Sequence, residues 1–207
     1  MAPLGLYVAA SLALIATPGQ DMLYVIARSL AQGRWAGLCS AFGVCLGILV
    51  HTGLAALGAG ALLRASETGF LVLKLIGAAY LVYLGVRMLV ARTTRLEAED
   101  PAPPMSPMSL VAQGVLSNVS NPKIVFFFMA FLPQFVDPAS AHPTRELVAL
   151  GALYAGMAFV VKGAIAWAVG TLARRAPPSL ATLAWAQRAG GAILVVLGIR
   201  LAAGSAR

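Results

Sequence analysis

Thr17-Pro18-Gly19-Gln20-Asp21 interrupts an otherwise apolar run from Leu4 to Ala27, and Asn121-Pro122-Lys123 interrupts another from Leu110 to Phe135. Each reads as a helix start inside a helix. Thr17 and Asn121 are residue types that cap helix N-termini, and each proline then takes the first helical position, where its missing N–H costs nothing. Thr17 and Gln20 also have capping-box spacing. A start of this kind carries free N–H groups. In hydrocarbon each unsatisfied polar group costs several kcal/mol, so both breaks are expected to face protein or a water-filled cavity. At about 1.5 Å per residue the breaks fall a third to half of the way through their runs, approached from opposite sides of a membrane. Two electropositive half-helix ends therefore converge near the midplane. That arrangement suits an anion, most simply a carboxylate, with Lys123 adding charge.

The bilayer as solvent follows from composition. Residues of the AVILMFWYC set make up 60% of the 207 positions and only 11% are charged, which is more apolar surface than one soluble core of this size hides. A net charge of +8 would suit nucleic acid in a soluble protein, but here the arginines mark the ends of apolar runs, so no nucleic-acid partner is expected. Six stretches are long enough to span, at about 20 apolar residues each. They run from Leu4 to Ala27, Ala36 to Leu63, Gly69 to Val90, Leu110 to Phe135, Leu147 to Leu172 and Leu180 to Leu201. The expected fold is all-α, a polytopic membrane protein of six transmembrane helices with the first and fourth broken.

Placing the N-terminus outside puts Arg28, Arg34, Arg87, Arg92, Arg95, Arg174 and Arg175 in the cytoplasm, against Arg64, Arg145, Arg200 and Arg207 opposite. This positive-inside bias predicts a bacterial inner-membrane protein with both termini periplasmic. No Lys or Arg precedes the first span and no A-x-A cleavage pattern follows it, so the span reads as retained. The polar, proline-rich stretch 92–107 reads as a cytoplasmic linker between a first three-helix unit, 1–91, and a second, 108–207.

The two units resemble each other. Gly77 to Leu89 (GAAYLVYLGVRML) matches Gly190 to Ala202 (GGAILVVLGIRLA) at seven of thirteen positions, including the pairs Gly77/Gly190, Gly85/Gly198 and Arg87/Arg200. Pro18 likewise stands opposite Pro122. Because each unit holds an odd number of spans, the copies must point in opposite directions, the inverted repeat of many secondary transporters.

Ionisable residues inside the spans are candidates for chemistry, since a charge there is expensive and usually marks a substrate or proton path. Asp21 is the first, its bland alternative being an extra cap in the first turn of the half-helix. Lys123 either serves the anion or bridges to a backbone carbonyl at the break. Lys162 lies midway along the fifth span, too far from either end to snorkel, so a cavity-facing role is expected. Lys74 and Arg188 lie close enough to span ends to snorkel. His51 is a proton relay, a gate or a hydrogen-bonded interior histidine, the last being favoured. Gln113, Asn118 and Ser120 approach the fourth-span break from the cytoplasmic side. The expected substrate-binding set is thus Thr17, Pro18, Gly19, Gln20, Asp21, Asn118, Asn121, Pro122 and Lys123, with Asp21, His51 and Lys162 for proton coupling or gating. Gly43, Gly47, Gly53, Gly156 and Gly163 permit close helix packing, and an exposed glycine-rich helix would suit a homodimer.

Other classes fit less well. A membrane thiol-disulfide carrier needs a cysteine near each broken helix, whereas Cys39 and Cys45 share the second span, roughly 9 Å apart along a helix. A metal exporter needs clustered ligands, and His51 and His142 are far apart. No nucleophile with a partnered base, and no GxxxxGK[ST] loop, is present. A structural or assembly role explains the apolar spans but leaves the converging half-helix ends unexplained.

ATPGQDMLYVIARSLAQGRWAG (residues 16–37), GVCLGILVH (43–51) and SNPKIVFFFMAFLPQFVD (120–137) together resemble the lysine exporter (LysE/RhtB) family, especially its homoserine and threonine efflux branch. The likeness runs nearly end to end. It implicates Thr17, Pro18, Gly19, Asp21, His51, Asn121, Pro122, Lys123, Pro133, Gln134 and Phe135. It departs at Gln20, where the family usually has a second proline. The resemblance implies export of amino acids or close derivatives driven by the proton motive force, with no enzymatic activity and no cofactor.

Overall fold

The computed structural model describes residues 4–65, 67–90, 104–136, 140–172 and 180–203, and among them every regular element is helical. In chain order these are α1 (Leu4–Ala16), α2 (Gln20–Gln32), α3 (Arg34–Ala65), α4 (Glu67–Val90), α5 (Pro107–Val119), α6 (Pro122–Phe126), α7 (Pro143–Leu172) and α8 (Leu180–Ala203). After α6 the chain widens into a π-helical turn, Phe127–Phe131, then tightens into a 3-10 turn, Leu132–Phe135. Helices α3, α4, α5, α7 and α8 overrun the expected spans by a few residues at one end or both.

Both predicted breaks exist. The axis bends by 52° between α1 and α2 and by 55° between α5 and the segment from Pro122. At the second break the expected cap is present: Asn121 Oδ1 accepts from the Lys123 N–H at 3.1 Å, and Pro122 is the first helical residue. The first break is built differently, which corrects the expected capping box. The Thr17 hydroxyl donates back to the Ala13 carbonyl at 2.8 Å and so closes α1. Gly19, in extended conformation, is the N-cap of α2 and offers no side chain to its free N–H groups. Pro18 lies in the connection, one residue before that cap.

Arg34–Gly58 in α3 and Pro143–Thr171 in α7 are each long and apolar enough to cross a bilayer, and each bent pair, taken together, is long and apolar enough by the same measure. Helix α3 packs along α7 and α5, α2 wedges between α3 and α7, and α4 pairs with α8. The α4–α8 contact is backbone on backbone. A Cβ on Gly85 would sit 2.6 Å from the Gly191 carbonyl oxygen, and one on Gly191 would sit 2.7 Å from that of Gly85. Gly85→Leu is therefore expected to force the two helices apart at a cost of about 1–3 kcal/mol or more, seen as a lower melting temperature in detergent. An unchanged melting temperature would show that the helices do not need this approach.

Leu54, Leu57, Val72, Ile76, Val86, Val160, Val196 and Ile199 are exposed on the outer faces, as expected where lipid is the solvent. At one end of α3 and α7, Trp35 and Trp167 meet edge to face at 5.9 Å, and the Arg34 guanidinium lies 4.3 Å over the Trp167 ring. Amphipathic rings with an arginine belong at the headgroup level. Arg92, Arg95, Arg174, Arg175, Arg207, the Arg64 and Lys74 side chains and most of the 92–107 linker lie outside the described residues.

Candidate functional site

Asp21 sits in the first turn of α2 and is almost wholly buried. Its carboxylate takes four donors. Oδ1 accepts from the Met22 N–H at 3.0 Å and from Asn121 Nδ2 at 3.2 Å, while Oδ2 accepts from Asn118 Nδ2 at 3.5 Å and pairs with Lys162 Nζ at 2.9 Å. Three separate elements, α5, the second break and α7, thus hold one carboxylate. Lys162, which the sequence placed mid-span with nowhere to snorkel, has Asp21 as its one partner among the described residues, with the side chain 2% exposed.

Lys123, also buried, reaches across to the first break. Its ammonium donates to the Leu14 carbonyl at 3.2 Å and the Thr17 carbonyl at 3.1 Å, the free acceptors at the C-terminal end of α1. An ammonium has three N–H donors, so one remains. The carbonyl bridge considered from sequence is thus formed. Gly19 is what allows it: a Cβ there would lie 2.9 Å from Lys123 Nζ and 3.4 Å from Asp21 Oδ1. Gly19→Val is expected to displace the ammonium from its carbonyls and to lower stability by about 1–3 kcal/mol, measured as thermal unfolding in detergent. A variant as stable as the parent would mean the ammonium moves aside freely.

His51 and Asn118 complete the cluster. His51 Nε2 lies 3.2 Å from the Asn118 carbonyl, and its ring stands 6.0 Å from that of Phe128. This places His51 as a hydrogen-bonded interior histidine beside the break. Asn118 Oδ1 is buried and has no donor among the described residues. The structure therefore brings Asp21, His51, Asn118, Asn121, Lys123 and Lys162 together. Thr17, Pro18, Gly19 and Pro122 form the surrounding backbone, and Gln20 points away from the cluster into a cleft.

That cleft, about 610 Å³ and open to the outside, runs between α2 and α5 and is lined by Gln20, Leu23, Tyr24, Ala27, Gln113, Leu116, Ser117 and Ser120. Gln20 and Ser120, which directly precede Asp21 and Asn121, mark its inner end. Tyr24 Oη donates to the Leu110 carbonyl at 2.8 Å and Arg28 to Gln113 Oε1 at 3.3 Å, tying the two walls together.

The opposite side of the cluster is closed by rings. Phe127 contacts Phe131 at 4.9 Å and Tyr154 at 5.1 Å, Phe128 contacts Tyr154 at 5.2 Å, and Phe135 contacts Phe131 at 5.0 Å and Tyr7 at 5.1 Å. Tyr7 Oη donates to the Leu150 carbonyl at 2.7 Å, whereas the Tyr154 hydroxyl is buried and has no hydrogen-bond partner among the described residues. Sequence reasoning singled out neither tyrosine. The aromatic run 126–128 was the available signal, but its partners on α1 and α7 have no readable spacing to it.

The chain is similar in sequence to several known membrane proteins. An uncharacterized membrane protein of Pseudomonas aeruginosa is 38% identical over 151 residues, 71% of this chain and 70% of that one. Another, of Vibrio cholerae, is 36% identical over 131 residues, 63% of each chain. A leucine efflux protein of Klebsiella pneumoniae is 28% identical over 137 residues, 66% of this chain and 65% of that one. No solved structure matches. The helices, the lipid-facing apolar surface and these relatives make this a multi-pass membrane protein. The description of a LysE type translocator fits residues 12–205, nearly the whole chain, and the protein belongs to that family.

Proposed function

We propose that the chain exports neutral amino acids or close derivatives across the bacterial inner membrane, exchanging each for a proton moving inward. The observation that carries this reading is the buried cluster of Asp21, Lys162 and Lys123 at two helix breaks, with an open cleft on one side and an aromatic seal on the other. Substrate carboxylate would take the third Lys123 donor and the uncapped N-terminus of α2, and the ammonium would take Asp21. Leu23, Ala27 and Leu116 give the cleft apolar walls, which suit a leucine-like side chain. The relatives named for leucine efflux support that choice.

In this reading α4 and α8, each 24 residues and about 36 Å long, complete six spans. The units 1–91 and 108–207 are then inverted copies around the linker. In support, one matched glycine pair makes matched contacts: Gly85 abuts Gly191 and Val195, and Gly198 abuts their counterparts Ala78 and Val82. With both termini periplasmic, the cleft opens to the cytoplasm and the rings close the periplasmic side, an inward-facing state. Export then requires the ring cluster to part as the cleft shuts.

The test is growth of an exporter-deficient strain carrying this chain on toxic levels of leucine, threonine and homoserine, followed by direct efflux of the labelled compound. Protection with accelerated efflux of at least one is expected. Equal sensitivity and equal efflux with and without the chain would overturn the reading.

A further inference from the structure

Among the described residues the cluster contains one buried carboxylate, Asp21, and two buried ammonium groups, Lys123 and Lys162. Lys123 is tied to two carbonyls. Lys162 has only Asp21. The carboxylate already takes four donors, so an arriving substrate ammonium must displace one of them. Asn121 and the Met22 N–H belong to the backbone breaks that define the site. Lys162 is the one donor of the same charge and chemistry as the newcomer.

Resting on the exporter reading, we propose that the substrate ammonium and the Lys162 ammonium compete for Asp21, and that Lys162 is therefore the group that carries the coupling proton. The ledger closes. The empty site holds Asp21 negative with Lys123 and Lys162 positive, a net +1. When a zwitterionic amino acid enters from the cleft, its ammonium takes Lys162's place, and Lys162 gives its proton to the water of the cleft. The loaded site then holds Asp21 negative, Lys123 positive, neutral Lys162 and a neutral zwitterion, a net of zero. That is the cheaper charge to move through the low-dielectric centre. On the far side the substrate leaves, Lys162 takes up a proton from that side and re-pairs with Asp21, and the site returns. One amino acid goes out and one proton comes in per cycle. The unpartnered Asn118 Oδ1 beside Asp21 supplies a second acceptor for the incoming ammonium.

The groups facing Lys162 are Asp21 on α2, Lys123 on α6 and Cys45 on α3. Asp21 in turn is within electrostatic reach of Tyr154 on α7. Asp21 is the sole acid among them, so the competition has one object.

Binding of labelled leucine, or of whichever amino acid the growth screen selects, to the purified full chain in detergent tests this. Three results are expected: about one proton released per substrate bound, affinity that rises with pH by the same linkage, and tighter binding with no proton release in Lys162→Gln, where the competitor is gone. Lys162→Arg, which keeps the pair and cannot give up its proton, should bind severalfold more weakly and lose uphill export. A purely structural Lys162 would instead make Lys162→Gln bind more weakly. That result, or parent binding that is pH-independent and releases no proton, overturns the proposal. Should Lys162→Gln fail to fold, the proton count and pH slope of the parent still decide. If the parent exports and binds no amino acid at all, the exporter reading itself has failed, a separate result.

Discussion

Asp21→Asn is expected to abolish uphill efflux, so that energised vesicles containing the variant hold substrate no higher than its passive level. Two effects combine. The amide cannot pair with a substrate ammonium, and it leaves the Lys162 charge buried without its one partner. Removing one member of a buried pair costs about 3–5 kcal/mol, a large share of any fold's margin, so the variant should also melt at a markedly lower temperature. The pairing predicts a rescue. Asp21→Asn combined with Lys162→Gln carries no unpaired charge at this position, and it should recover much of the lost stability while remaining unable to drive export. Accumulation ratios and detergent melts of the two single variants and the double variant complete the cycle. Uphill export by Asp21→Asn at parental ratios would remove the carboxylate from the mechanism. A double variant as unstable as the sum of the singles would mean that the pair does not act as a unit.

That coupling was the part of the site least legible in the sequence. Both breaks were readable, because Pro, Gly and Asn have local meanings that need no partner. Asn121 capped where expected for that reason. Thr17 did not, because α2 starts later than the proline suggests, at Gln20 with Gly19 as its N-cap, and the Thr17 hydroxyl instead donates back to Ala13. The convergence of the breaks followed from their positions and from the odd number of spans expected per unit. The pairing of Asp21 with Lys162 did not, since nothing in spacing relates residues 141 positions apart. What could be read was half of it, a lysine too deep to reach water. Tyr7 and Tyr154 were invisible for a similar reason. Each looks like an ordinary apolar-face aromatic until the ring cluster beyond the second break is assembled around it.

Lys123 has two separable jobs: it supports α1, and in the proposed cycle it seats the substrate carboxylate. Lys123→Met keeps most of the stem and removes the ammonium. It leaves the Leu14 and Thr17 carbonyls without a donor, so a stability loss of about 1–3 kcal/mol is expected whichever job is real. Affinity tells them apart. A hydrogen bond to a charged group is worth about 1.5–3 kcal/mol, so if the third N–H holds the carboxylate, leucine binding should fall by roughly 10- to 150-fold. Leucinamide, which keeps the ammonium and side chain but has no carboxylate, supplies the control. The parent should prefer leucine over leucinamide by at least that factor, and Lys123→Met should narrow the preference by it, leaving only what the start of α2 supplies. If Lys123→Met instead weakened both ligands by the same factor, the ammonium would be a strut for the broken helix. The carboxylate would then be held by the backbone N–H groups that Gly19 leaves uncapped at the start of α2 alone.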